Sequence, residues 1–477
     1  MNINFRSSKF FNMTISFNFI LILVNLSFIL LFINFYNDYK FNEFIDKNTL
    51  ILSIIFSIQN IIFLIVQNKN KNPFILILIL IISFFYLLRI ITLYSYSYSA
   101  VLSRDDITSL EVNQSLFYIL ISNLFLNIGF LSVGFFFKKN KIEKVNKFSP
   151  LKLKSSILLL ILVMLLIFIN NIGIGSSELM AFFVLLFFHQ EAVLLFTFSF
   201  VLYYINSISK KYIIIYVLLI IFFIIYVTLA GSRSALLTIF TLFLFSILAV
   251  RNDLKINILA FIFSVIIIPV SFLFYLTATF NRGLENKINN PLTLISEMNE
   301  QNVFESEKVD FFISRLADRL GFYDYNTILI SKPDKYNKVV NAKFYLSSII
   351  DNLLTPGFDI FDTPKASLAL GAVANNENAI KKSKIGESYQ SDMLGIFGEY
   401  SVLFNKYFSL LLFFATAFIF QYFYNFFEIF NDFKSILFKS LLLSIFYTWV
   451  NSFGIDWIII EAFTMFVTGF FIKRFYY

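Results

Sequence analysis

Three short stretches of the 477-residue chain combine residue types that could do chemistry. The first, LAGSRSALLTIF (229–240), sets Ser232, Arg233 and Ser234 between two apolar runs. Serine hydroxyls, free backbone N–H groups at a helix start and a guanidinium together make a receptor for a phosphate or pyrophosphate. The competing use of the same arginine is to snorkel toward lipid headgroups from a helix end. The second stretch, SRLADRLG (314–321), spaces Arg315 and Arg319 four apart, on one face if helical. They could clamp an anion together or be neutralised locally by Asp318 or Asp310. The third, GESYQSDMLGIFGEY (386–400), gathers Glu387, Tyr389, Gln390, Asp392 and Glu399. Asp392 and Glu399 are seven apart, again one helical face, and either could take the proton of an attacking hydroxyl. Each could equally satisfy backbone donors at a helix N-terminus. Gly395 and Gly398 leave room there for a ligand or for another helix. With no cysteine and one histidine, the chain has no thiol nucleophile, disulfide or His-based metal site, so neither metal nor cofactor is expected.

The elements that must position these residues are membrane spans. The chain is 58% hydrophobic and 14% charged, against about 25% charged in an ordinary soluble domain. Apolar stretches near 15–36, 49–66, 74–94, 116–137, 156–172, 179–205, 212–230, 235–250, 256–276, 405–425, 436–452 and 456–472 are each long enough to approach or cross a hydrocarbon core of about 30 Å as helices. The expectation is an all-α polytopic membrane protein of about twelve spans. Lys and Arg near span ends mark the cytoplasmic side. Arg6/Lys9, Lys69/Lys71, the cluster 138–154, Lys210/Lys211, Arg251/Lys255, Lys434/Lys439 and Lys473/Arg474 all fall on that side if twelve spans are correct. Both termini are then cytoplasmic, and the basic cluster 138–154 also touches anionic lipid headgroups. The first span has no small-residue cleavage site after it and reads as a retained anchor.

On this topology Gly231–Ser234 form a tight outer turn, and span eight starts near Ala235. The segment 277–404 is a single outer loop between a bundle of nine spans (1–276) and one of three (405–477). From 277 to 400 it holds 13 Lys/Arg and 16 Asp/Glu, with too many aromatic and aliphatic residues for disorder. A mostly helical cap is expected. Within the spans, His189, Gln190 and Glu191 suggest an interhelical polar cluster with Arg89 as a partner, and Asp456 and Glu461 suggest a pair. No nucleotide-binding motif, repeat or nucleic-acid module is present.

GSRSALL (231–237) between two spans resembles the corresponding motif of bacterial oligosaccharide repeat-unit polymerases, the Wzy-type O-antigen and capsule polymerases. FFISRLADRLGFYDY (311–325) is similar to that family's loop arginines. GESYQSDMLGIFGEYSVLFNKYF (386–408) is similar to its re-entry from loop to membrane. The resemblance implies a GT-C-like inverting glycosyltransferase of the bacterial inner membrane, with a periplasmic loop and no metal. Its substrates would be undecaprenyl-pyrophosphate-linked oligosaccharides, with a chain-length regulator and a flippase as partners besides membrane lipids. Arg233, Ser232, Ser234, Arg315 and Arg319 would hold pyrophosphate. Glu399 or Asp392 would be the base, and Glu387, Tyr389 and Gln390 would contact substrate. An O-antigen ligase shares the topology, but its loop histidine has no counterpart in 277–404. A flippase or transporter suits twelve spans but not a loop of this length. A sensor whose loop binds a partner is a third alternative.

Overall fold

The computed structural model describes residues 14–136 without 71 and 98; 157, 158 and 161; 190–251 without 205, 206 and 230–233; 255–257; 291–300; 322–353; 360–374; and 395–476 without 431, 452 and 453. A strand pair precedes and follows the N-terminal helices: β1 (Thr14–Ser16) and β2 (Lys255–Asn257), antiparallel with Ile15 opposite Ile256. Everything else regular among the described residues is helical. The N-terminal group is α1 (Phe17–Asp38), α2 (Lys47–Asn70), α3 (Pro73–Ile81), a π-helical turn (Ile82–Leu87), α4 (Leu88–Tyr96), α5 (Ala100–Arg104) and α6 (Ser109–Phe136). Then come α7 (Gln190–Tyr203), α8 (Lys210–Leu229) and α9 (Ser234–Arg251). A cap follows: α10 (Pro291–Glu300), α11 (Phe322–Ser331), α12 (Pro333–Asn337), α13 (Ala342–Leu353), α14 (Ala366–Ala374) and α15 (Ile396–Leu403). The chain re-enters the bundle with α16 (Lys406–Ile429), α17 (Phe433–Val450) and α18 (Ile455–Tyr476).

The protein is an all-α polytopic membrane protein: among the described residues seven helices are long and apolar enough to cross a membrane, and α7, α8 and α9 carry shorter apolar stretches. Nearly all of the expected span 156–172 lies outside the described residues. The expected span 256–276 opens in β2 and is otherwise outside them too. Because β1 pairs with β2, the start of α1 and the end of α9 lie at the same end of the bundle.

Helix starts follow from side chains that cap free N–H groups. Asp46 accepts from the Thr49 N–H at 2.9 Å ahead of α2. Asn72 accepts from the Phe74 N–H at 3.0 Å, with Pro73 opening α3. Asp432 accepts from the Ser435 N–H at 2.9 Å ahead of α17. The apolar run beginning at 116 places the start of α6 too late. Thr108 and Glu111 form a reciprocal cap, the Thr108 N–H to Glu111 Oε2 at 2.9 Å and the Glu111 N–H to Thr108 Oγ1 at 3.4 Å, which extends α6 by two polar turns. Those turns reach the cap: Tyr323 donates to the Val112 carbonyl at 3.4 Å, and Ser115 donates to the Thr327 carbonyl at 3.3 Å.

The bundle core is aromatic. Phe74 stacks on Phe130 at 5.3 Å between centroids and meets Tyr424 and Phe446 edge-on at 5.4 and 5.0 Å, arrangements favoured by the ring quadrupole. Along α6 and α16 the backbones come close, since a Cβ on Gly129 would sit 2.5 Å from the Phe414 carbonyl oxygen. Small residues at such crossings let helices approach where no hydrophobic force separates protein from lipid. Asn25 bridges three helices inside the bundle, donating to Ser83 at 3.1 Å and accepting from Asn60 at 3.1 Å. Exposed Leu30, Ile62, Leu411 and Phe470 give the outer surface the apolar character that lipid requires.

Candidate functional site

The π-helical turn re-aims two side chains of the third span toward the cap, the usual consequence of an inserted residue in a helix. Arg89, just past it, holds Asp324 of α11: Nε lies 3.1 Å from both carboxylate oxygens and Nη2 lies 2.6 Å from Oδ2. Ser99 donates to the same Oδ2 at 2.6 Å. Arg89 and Asp324 are 2% and 0% exposed, so this pair joins cap to bundle with no solvent between. The carboxylate that Arg89 holds is 235 residues away in sequence, and His189, an expected partner in the polar cluster, lies outside the described residues. A second tether has Asp105 receiving Lys335 at 2.6 Å and the Tyr336 hydroxyl at 3.2 Å, with Lys332 on its carbonyl. Within the cap, Asp351 is buried and its carboxylate accepts from the N–H groups of Ile360, Phe361 and Thr363 at 2.9, 3.0 and 2.8 Å.

Tyr86, within the π turn, accepts from Asn326 Nδ2 at 3.1 Å, and Asn326 Oδ1 accepts from the Gly398 N–H at 2.5 Å. Asn326 thus connects the third span to α15. Gly395 opens α15 at φ +59°, and a Cβ there would collide with the Asn326 side chain. A Cβ on Gly398 would lie 2.9 Å from Leu329. The two glycines admit a helix, α11, against α15. Gly398→Ala is expected to destabilise the protein by about 1–3 kcal/mol by forcing α15 off α11, read as a lowered thermal midpoint in detergent; an unchanged midpoint would contradict the close approach.

So held, α15 delivers Glu399 to the N-terminus of α18. Glu399 is 1% exposed. Its Oε1 accepts from the Ile455 N–H at 2.7 Å, while Oε2 makes no hydrogen bond. The Tyr345 hydroxyl of α13 faces the same carboxyl. Asp456, one residue on, accepts from Ser348 at 2.6 Å and from the Ala366 N–H at 2.9 Å through Oδ2, leaving Oδ1 unpartnered. Lys365 Nζ lies 3.8 Å above the Trp457 ring. Four helices, α13, α14, α15 and α18, so converge on two carboxyls and a tyrosine. Burial pushes the Glu399 carboxyl up to about 8, and the neighbouring Asp456 charge adds to the shift. Burial likewise holds the Tyr345 hydroxyl well above its ordinary value, with Glu399 and Asp456 both adding to it. Glu399 can therefore hold a proton near neutral pH.

Of the other residues expected at a site, Ser232, Arg233, Arg315, Arg319, Glu387, Tyr389, Gln390 and Asp392 lie outside the described residues. Ser234 is the first residue of α9. Asp456 and Glu461 do not pair with each other: Glu461 accepts from Thr448 at 3.1 Å and meets Glu191 instead. Among the described residues no group of three or more His, Cys, Asp or Glu could hold a metal. Tyr345 and Asn326 carried no signal in the sequence. Asp324 carried a weak one, as a lone charge in the apolar stretch FYDYNTILI. Comparisons with models of protein families, with curated proteins and with solved structures give no match to this chain.

Proposed function

We propose that the chain is a repeat-unit polymerase of the bacterial inner membrane, joining undecaprenyl-pyrophosphate-linked oligosaccharides at the periplasmic face. In this reading it has twelve spans in a GT-C-like arrangement, cytoplasmic termini and 277–404 as a periplasmic cap. The observation that carries it is the placement of Glu399, a carboxyl with one unpartnered oxygen at the seam between cap and bundle. An acceptor hydroxyl attacks the anomeric carbon of the donor glycan, the bond from that carbon to the pyrophosphate oxygen breaks, and configuration inverts. Glu399 or Asp392 takes the hydroxyl proton. Arg233, with Arg315 and Arg319, stabilises the charge growing on the departing pyrophosphate without a metal. Because Glu399 is closed beneath α13 and α18, an acceptor reaches it when α15 and α18 part.

Deleting the gene and resolving surface glycan on a gel tests the reading. Collapse of the ladder to a single repeat unit is expected. An intact ladder overturns it, and loss of all transfer to the final acceptor indicates a ligase. Arg233→Ala is expected to abolish polymerisation with normal membrane insertion, and Arg233→Lys to do so largely, since a lysine cannot reproduce bidentate contact. A wild-type ladder from Arg233→Ala would remove the pyrophosphate role.

A further inference from the structure

Inside the bundle, away from the cap, two carboxyls on facing helices meet. Glu191, in the first turn of α7, hydrogen-bonds Glu461 of α18. Glu461 lies about 9 Å along its helix from Ile455 at 1.5 Å per residue, and it is 7% exposed. Thr448 of α17 donates to Glu461 Oε1 at 3.1 Å. One position back, Tyr447 lies within electrostatic reach of Glu191. Just past the end of α17, Asn451 is 7% exposed and lies against the Tyr447 side chain, and neither its amide nitrogen nor its amide oxygen closes a hydrogen bond of normal geometry. An unpartnered amide buried to this degree is costly unless something binds it. Among the described residues no cationic side chain acts on either carboxyl. Two acids in an apolar bundle, with no arginine or lysine among the described residues to neutralise them, must be held by protons or by a cation.

We infer that Glu191, Glu461, Thr448 and Asn451 form a site for a small hard cation, Na⁺ or a proton, between α7, α17 and α18. The donors are all oxygens: two carboxyls, a hydroxyl and an amide carbonyl. Such a set suits a hard cation and disfavours a soft transition metal. The proton is the minimal occupant, since two carboxyls in hydrogen-bond contact share one. Na⁺ takes the same place by displacing it and recruiting the Asn451 carbonyl. Binding there joins α7 to α18, the helix whose N-terminus carries the Glu399 and Asp456 cluster. This site does not depend on the polymerase reading. It would exist equally in a cation-coupled transporter.

Thermal unfolding of the purified full chain in detergent tests the proposal, with NaCl exchanged for choline chloride at constant ionic strength and at two pH values, about 6 and 8. The titratable groups facing one another at the site are Glu191 of α7, Tyr447 of α17 and Glu461 of α18; α9 contributes the Phe245 ring against Tyr447. A Glu399→Gln background removes the Glu399 carboxyl, at the far end of α18, from the pH response. For a Na⁺ site, NaCl raises the midpoint by several degrees at the higher pH and less at the lower, where protons compete. Glu461→Gln and Glu191→Gln abolish that rise, and Asn451→Leu, which keeps the volume, weakens it while the protein still folds. For a proton site, the midpoint falls with rising pH whatever the salt, and either Gln variant flattens the fall. If neither cation nor pH produces a response that these variants alter, the inference is wrong.

Discussion

Asp324→Ala is expected to release the cap from the bundle. The substitution leaves the Arg89 guanidinium, 2% exposed, without its carboxylate, and a buried charge stripped of its partner costs about 3–5 kcal/mol. Ser99 loses its acceptor at the same time. Thermal unfolding should drop accordingly, and limited proteolysis should open sites between 322 and 374 while the spans stay protected. Asp324→Asn keeps an acceptor but no charge and should lose less. The double replacement Arg89→Met with Asp324→Leu should recover much of the loss, because an apolar pair of similar volume carries no desolvation penalty. The tether at Asp105 provides the contrast. Lys335 is 33% exposed, so water screens the pair, and Lys335→Ala should cost about 0–1 kcal/mol. If Asp324→Ala shifted stability no more than Lys335→Ala, the buried pair would not be what holds the cap.

The sequence pattern revealed the long apolar helices, and reasons of range explain what it did not reveal. Length and apolarity are local properties, so α1 (Phe17–Asp38) and α16 (Lys406–Ile429) fall within a few residues of the stretches read from the sequence. The start of α6 was also locally encoded, but in the Thr108–Glu111 cap and not in hydropathy. Arg89 is different. No periodicity links position 89 to position 324, so the sequence offers the polar residues 189–191 as partners of Arg89 and gives no sign of Asp324. Lys439 was counted with the basic flank of its helix, yet it is 6% exposed with Nζ 5.2 Å from the centre of the Tyr424 ring. A long stem lets a lysine one or two turns inside a helix behave unlike a flank residue. The candidate site divides the same way. Glu399 was visible as an acid beside two glycines. That it would satisfy the N–H of α18, and that the glycines would admit α11, depends on contacts between segments far apart in the chain.

Glu399→Gln should separate what Glu399 does for the fold from what it does for chemistry. The folded protein holds this carboxyl up at about 8, well above the value of about 4.3 for a glutamate free in solution. The folded state therefore binds the proton more tightly than the unfolded state. The carboxyl's contribution to stability is complete below about pH 4 and declines as pH rises through 8, by up to about 1.4 kcal/mol per pH unit. Wild-type protein should accordingly lose stability on the order of 3–5 kcal/mol between about pH 5 and pH 9 from this group. Glutamine keeps an acceptor for the Ile455 N–H but cannot ionise, so the variant should show a flatter profile and be the more stable protein above pH 8. An opposite slope, with wild type gaining stability as pH rises, would mean that the carboxylate is the favoured form in the fold. Activity answers separately. If Glu399 takes the acceptor proton, Glu399→Gln should slow polymerisation by about 10²–10⁴-fold in a protein as stable as wild type. If Glu399 only ties α15 to α18, the glutamine should polymerise normally while Glu399→Ala, which leaves the Ile455 N–H without an acceptor, should unfold first.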